Sequence, residues 1–427
     1  MIHRTIIIVL SITFQLLVSP GCKIEAQKVV SGLEFLSGSN FEILKGKRVG
    51  LITNPTGVDH NLRSGIDILF GAKDIKLTAL YSPEHGIRGE FTAGETVGSV
   101  NDPVTGLPVY SLYGSTRKPT VDMLKDIDVF VYDIQDIGSR SYTFISTLGL
   151  AMEAAAENNK EFIVLDRPNP LGGIRMEGPV TQPGFISFVS QFPIPYIHGM
   201  TVGELATFLN EEGLLKNGIR CNLKVIKMTG WKRDMTFAET GLEWVPSSPH
   251  IPQVQSVLFY PATGIFGELY VASIGVGYTL PFQLFASEWF DADSLALSLN
   301  LLKLPGIIFR PVHYKPYYSV SAGKMVNGVQ IHLIDQAKAP LSLIQFYIMQ
   351  EAHKLWPDKD IFSMCDKSRL AMFDKVCGTD QVRIEFSKFY SVSSIIGIWN
   401  NDIPAFRKKA EKYFPECRNI IIPYSND

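Results

Sequence analysis

The chain has 427 residues, is 46% hydrophobic and 19% charged, and carries a formal net charge of −2. That length and apolar content support a large core and suit two domains better than one. The near-neutral balance excludes a nucleic-acid partner, because neutralising phosphates takes a basic stripe, and coiled-coil heptads, low-complexity tracts and short repeats do not occur.

The chain opens with His3 and Arg4 ahead of "TIIIVLSITFQLLV" (Thr5 to Val18), followed by "SPGCKIEAQ". A basic start, a short apolar core and small residues describe a secretory signal over 1–26. The apolar run is short for a membrane span. Ser19 and Gly21 before Cys22 resemble a loose bacterial lipoprotein processing box, although Ser19 takes the place where leucine is usual. The expected location is therefore exported, either periplasmic or held at a membrane by a lipid on Cys22. The alternative is plain cleavage nearby, as after Ala26. Cys221, Cys365, Cys377 and Cys417 form no C-x-x-C pair. That argues against structural zinc and leaves buried thiols and disulfides both open.

Residues 28–252 alternate strand-like and helix-like segments. "KRVGLITN" (Lys47 to Asn54) stops at "NPTG", "DIKLTALYS" at "PEHG", "DIDVFVYDIQD" (Asp126 to Asp136) at "IGSRSYT", and "KEFIVLDRPNP" (Lys160 to Pro170) at "LGG". Between them, "NLRSGIDILF" and "TFISTLGLAMEAAAEN" have helical spacing of apolar residues. "TVGELATFLNEEG" adds a helix with a capping box at Thr201 and Glu204 and a glycine stop at Gly213. Nearly all-apolar strands separated by helices imply a parallel sheet covered on both faces, a Rossmann-like α/β domain. The Pro-rich "WVPSSPHIPQV" (Trp244 to Val254) breaks the alternation and marks a boundary. Residues 253–427 then read as a smaller auxiliary α/β domain, with "GVQIHLID" as a strand and "PLSLIQFYIMQEAHKLW" and "DIPAFRKKAEKYF" as helices.

Several familiar motifs fail. "GVGYTL" (Gly275 to Leu280) starts like a dinucleotide loop but lacks the third glycine and the βαβ context. H-E-x-x-H, G-x-S-x-G and a phosphate-loop lysine motif are absent from the sequence, so the usual support for a zinc protease, a serine hydrolase or a nucleotide hydrolase is missing. No metal or organic cofactor is implied.

In open α/β sheets ligands bind beyond the carboxyl ends of the strands. Asn54, Glu84, Asp133 with Asp136, and Asp166 all stand at such ends, each beside a Pro or Gly that fixes a turn. His85, Arg88, Arg140, Tyr142, Asn169 and His198 join them. Carboxylates with Asn, Arg and Tyr suit a sugar: acids move protons and the rest bind hydroxyls. Each residue also has a plainer role. Asp133 equally suits a helix cap, Asp166 and Arg167 suit a loop brace, and His198 suits a structural bridge. Glu84, between Pro83 and Gly86, has no helix or strand to serve. "GELYVASIGVGYTLPFQLF" (Gly267 to Phe285) is too apolar for a linker and carries Glu268 and Tyr278, so the second domain is expected to close one wall of the cleft.

"LITNPTGVD", "SPEHGIRGE", "DIQDIGSRSYT", "LDRPNPLGG", "EGPV" and "HGMTVGELA" together closely resemble the bacterial exo-β-N-acetylmuramidase family, from about Lys47 to the C-terminus. The resemblance implies a Rossmann-like domain with a C-terminal auxiliary domain, and removal of terminal N-acetylmuramic acid from the non-reducing end of peptidoglycan fragments. It marks Glu84 as the catalytic acid and places Asn54, His85, Arg88, Asp136, Arg140 and Tyr142 in the pocket. Two stretches depart from the family pattern. "PSSPHIPQ" (Pro246 to Gln253) stands where members often read P-S-P-N-M-P-T, and "GELYVASIGVGYT" (Gly267 to Thr279) where they often read E-G-T-N-x-S-x-G-R-G-T. An Asn and an Arg are thus missing, with His250 and Val276 in the corresponding stretches, which leaves the exact sugar open. The alternative is a non-catalytic lipoprotein that binds cell-wall saccharides in the same cleft; a retained acid argues against it, because binding alone needs no proton donor.

Mass spectrometry of the mature chain tests the N-terminal reading. The expected N-terminus is a modified Cys22. An unmodified N-terminus downstream of it refutes lipidation, and retention of Met1 in a cytosolic protein refutes export.

Overall fold

The computed structural model describes residues 29–89 and 100–414; the apolar leader, Cys22 and Cys417 lie outside the described residues. Among the described residues a seven-stranded sheet runs β3-β4-β2-β1-β5-β6-β7. Its strands are β1 (Arg48–Thr53), β2 (Lys76–Ser82), β3 (Val100–Asn101), β4 (Pro108–Ser111), β5 (Val129–Asp133), β6 (Glu161–Leu165) and β7 (Asn222–Ile226). Neighbours pair parallel except β3 with β4.

The apolar strands are explained by burial on both faces. On one face Val49, Leu51, Val129, Val131 and Ile163 pack under α1 (Gly32–Gly38) and α2 (Gly65–Phe70). On the other, Ile52, Phe130, Tyr132, Phe162 and Val164 meet α3 (Phe144–Glu157) and α4 (Val202–Glu211). Alternation along a strand divides the two sets, and each buried aliphatic side chain contributes about 1.5–3 kcal/mol. Gly50 leaves room for the Tyr81 ring, since a Cβ there would lie 2.7 Å from it. The capping box of α4 forms as its sequence predicts: Thr201 Oγ1 accepts from the Glu204 amide and Glu204 accepts from the Thr201 amide. Gly213 follows the helix with φ +65°.

The C-terminal half begins with α5 (Val254–Gly267) and holds an antiparallel sheet, β8 (Leu284–Ser287), β9 (Ile307–Tyr314) and β10 (Val326–Leu333), in the order β8-β10-β9. The helix α6 (Ala292–Leu301) backs this sheet, α7 (Ile344–Leu355) packs against α6 and α5, and α8 (Lys367–Cys377), α9 (Gln381–Phe389), α10 (Val392–Asn400) and α11 (Ile403–Ala410) follow. Gly275 and Gly277 adopt φ of +81° and +87° in a loop whose Gly277 carbonyl accepts from the Tyr317 amide at 2.8 Å. "GVGYTL" is thus a turn against the β9–β10 connection. Cys221, Cys365 and Cys377 are free thiols.

One hydrophobic core runs from Tyr81 and Tyr132 to Phe346 and Trp399 across both halves. Polar ties cross the same seam. Glu177 accepts from the Ser342 amide and hydroxyl at 2.9 and 2.6 Å. The Gln182 amide donates to the Gly378 carbonyl at 2.8 Å. Arg140, 0% exposed, donates to Ser190 Oγ at 3.1 Å, to the Pro179 carbonyl at 2.6 Å, to the Ile194 carbonyl at 2.5 Å and to the Val376 carbonyl of α8 at 2.8 Å.

Candidate active site

Strand β2 delivers Glu84. The strand ends at Ser82, Pro83 stops the pairing, and His85 and Gly86 turn the chain back with φ of +76° and +84°. A histidine held in the left-handed region stores strain, a recurrent mark of functional turns. Thr143 stands at the N-cap of α3, yet makes no side-chain cap bond. Its hydroxyl donates instead to Glu84 Oε2 at 2.9 Å. A donor from another loop thus orients the Glu84 carboxyl group. The Tyr113 phenol stands beside Glu84: burial first, then that carboxylate's charge, pushes its pKa up.

Glu84 and His85 open onto a cleft of about 640 Å³ between the two halves. The sheet side supplies Tyr113, Arg117, Tyr142, Thr143 and Phe188. The C-terminal side supplies Tyr260, Glu268, Tyr270, Val276, Met372 and Lys375. Tyr142, Tyr260 and Phe282 make an aromatic surface, with ring centroids 5.6 Å apart for Tyr142–Tyr260 and 4.9 Å for Tyr260–Phe282. Ser247 holds the Tyr142 hydroxyl at 2.7 Å. His250 Nε2 meets the Tyr318 hydroxyl at 2.9 Å, tying the interdomain segment to the β9–β10 connection. Burial, then repulsion from His85, lowers the His250 pKa, and Glu84 opposes this. Burial raises the pKa of Glu268, and Arg369 opposes it.

A second polar group is buried and does not line the cleft. Asp136 Oδ2 accepts from the Gly138 amide at 2.6 Å, and burial pushes its carboxyl up to about 7. His198 accepts from the Met200 amide through Nδ1 at 3.2 Å, which puts its proton on Nε2, 3.9 Å from Asp136 Oδ2. Burial, then the Arg140 charge, lowers the imidazole to about 3, so it is neutral. Asn54 Oδ1 accepts from the Thr56 amide at 3.0 Å and the Thr56 hydroxyl at 2.5 Å. Asp136 Oδ1, His198 Nε2 and Asn54 Nδ2 have no hydrogen-bond partner among the described residues.

Of the residues singled out in the sequence, the structure brings Glu84, His85, Tyr142 and Glu268 to the cleft. The others do not line it. Arg88 chelates Asp102 through Nε and Nη2 at 2.8 and 3.1 Å. Asp133 is paired with Arg167 at 2.6 and 2.9 Å. Asp166 caps α4 through the Thr201 hydroxyl and the Gly203 amide at 3.0 and 2.8 Å, and lines a separate pocket of about 370 Å³ with Trp231 and Arg233. Asn169 braces its own loop, accepting from the Leu171 amide and donating to the Met200 carbonyl. Arg140 is spent on carbonyls and Ser190. Tyr278 stacks on Tyr314 and Tyr317. The sequence reading missed Tyr113, Arg117, Thr143 and Lys375. The first two follow the short strand β4, which has too few residues to announce itself, and Lys375 sits on a helix with an ordinary polar face.

Two family models match the chain in succession: "Exo-beta-N-acetylmuramidase NamZ, N-terminal" over residues 49–255 and "Exo-beta-N-acetylmuramidase NamZ, C-terminal" over residues 258–414. The chain is similar to the peptidoglycan beta-N-acetylmuramidase NamZ of Bacillus subtilis (strain 168), at 44% identity over 90% of this chain and 91% of that protein. It is also similar to two crystal structures of DUF1343 family proteins from Bacteroides fragilis NCTC 9343. One superposes with a TM-score of 0.88 at 57% identity, covering 91% of this chain and 99% of that one. The other gives 0.71 at 27% identity over the same shares.

Asp136 sets a pH dependence of stability. Its folded pKa, about 7, lies above the ordinary 3.8. Below about 4 both states are protonated; as pH rises the unfolded chain ionises first, so the stabilisation falls between about 4 and about 7 and then levels. Asp136→Asn lacks this titration and keeps an acceptor for Gly138. Denaturant unfolding across pH 4–8 should therefore show wild type losing stability relative to Asp136→Asn through that window. A pH-independent difference would show that Asp136 titrates alike in both states.

Proposed function

This chain belongs to the exo-β-N-acetylmuramidase NamZ family, and from that premise we propose that it is an exo-acting glycosidase that releases terminal non-reducing N-acetylmuramic acid from peptidoglycan fragments, with Glu84 as its general acid. The observation that carries the residue assignment is Glu84 in the cleft, oriented by Thr143 at 2.9 Å. With Oε2 occupied as an acceptor, a proton on Oε1 is the one offered to the glycosidic oxygen. The aromatic surface of Tyr142, Tyr260 and Phe282 suits the apolar face of a pyranose and an acetamido methyl, and a cleft of about 640 Å³ falls in the size range of small-ligand sites.

His85 and Glu268 line the same cleft and belong to the proposal as polar contacts to the sugar. Asp136 enters as a group beneath the site whose raised pKa keeps a proton near neutrality. Export and a lipid on Cys22 are proposed on the leader's sequence alone, and place the cleft where cell-wall fragments are found.

Glu84→Gln is the test of the acid. Gln keeps the shape and the acceptor for Thr143 but has no proton to give. On a natural disaccharide, turnover should fall by about 10²–10⁴-fold. On an aryl glycoside with a good leaving group, which needs less protonation, the loss should shrink. Equal and small losses on both, with an unchanged circular dichroism spectrum, would remove Glu84 from the acid's role.

A further inference from the structure

A muramic acid residue differs from a glucosamine residue by a lactyl ether that ends in a carboxylate. A cleft can select the first over the second by setting a cation where that carboxylate falls. We propose that Arg117 is this specificity-determining residue, an inference that rests on the muramidase reading above.

Among the described residues lining the cleft, the cations besides the two histidines are Arg117 and Lys375. Arg117 comes from the segment after β4 and places its guanidinium over the Phe188 ring, 4.4 Å from the centroid. Phe188 is itself fixed, because its carbonyl accepts from the Ser146 hydroxyl of α3 at 2.7 Å. Phe188 also neighbours Tyr113, with ring centroids 6.1 Å apart. The charges of Arg117 and Glu84 both act on the Tyr113 hydroxyl. Arg117 is therefore linked to the acid through one side chain. Among the described residues no carboxylate lies within ion-pair distance of it. A cation over an aromatic ring keeps N–H groups available for a ligand.

The carboxylates of the cleft have partners of their own. Glu84 is held by Thr143. Glu268 faces Arg369 at 4.0 Å. Lys375 stands on the C-terminal wall, in the last turn of α8. Val276 on the same wall carries no charge. A guanidinium also offers the two parallel N–H bonds that fit a carboxylate, whereas an ammonium is a point charge. The chemistry predicted is reading of a free carboxylate, so the same sugar with its lactyl carboxyl amidated should bind as poorly as one without it.

The experiment measures kcat/KM for three chromogenic glycosides: muramic acid, muramic acid with its carboxyl converted to an amide, and glucosamine. Wild type should prefer the first over both others. Arg117 is exposed, so Arg117→Met should fold; circular dichroism checks it. That variant should lose about 10- to 100-fold on the acid, the worth of a charge-assisted pair, and much less on the amide and the glucosamine, so that the preference collapses. Arg117→Lys should restore part of it. A preference that survives in folded Arg117→Met, or one that collapses in Lys375→Met instead, overturns the assignment. Failure of wild type to release any muramic acid would overturn the muramidase reading itself, an outcome separable from the other two.

Discussion

The wall of the cleft built by α8 is tied to the sheet domain by a buried guanidinium that has no carboxylate beside it among the described residues. Arg140 leaves the sheet domain from the segment after β5 and reaches the last turn of α8, where it takes up the Val376 carbonyl. A charge in such a place costs several kcal/mol in desolvation. It is offset by three carbonyls, a serine hydroxyl and the negative end of the α8 dipole. Burial lowers the guanidinium's pKa only to about 10, so it stays charged at neutral pH. The carbonyl it grips lies next to Lys375 and four residues from Met372, so Arg140 helps to set that wall together with the Gln182–Gly378 bond and the shared core.

The remaining polar clusters at the strand ends support this geometry and leave the chemistry to β2. Asp133 and Arg167 neutralise each other between β5 and β6. Asp166 starts α4. Asn54 ties the turn after β1 through Thr56, whose hydroxyl accepts from the Gln135 amide at 2.8 Å. These bonds set the loops from which Tyr142 and Thr143 enter the cleft. Glu84 then sits in a frame that neither its own strand nor its own loop could build.

Much of the fold was legible because it is repetitive. Four apolar runs ending at breakers gave β1, β2, β5 and β6, and the T-x-x-E of α4 gave its start. Two-residue β3 and four-residue β4 carry too little pattern to be read, and with β4 went Tyr113 and Arg117. The sheet's carboxyl edge was legible as a polar rim, but the rim's division of labour was not. Arg88 and Asp102 lie fourteen residues apart, Asp133 and Arg167 thirty-four, and Arg140 and Val376 two hundred and thirty-six. Local spacing holds no record of such partners. Glu84 was readable because it lacked a local partner, and its actual one, Thr143, comes from another loop.

The proposed reaction releases a single sugar from a chain end. Digestion of a defined peptidoglycan oligosaccharide bearing N-acetylmuramic acid at its non-reducing end, followed by mass spectrometry over time, tests it most directly. Free N-acetylmuramic acid should appear together with a product shorter by that one residue. Internal fragments, a terminal glucosamine released in its place, or tight binding with no product would contradict it.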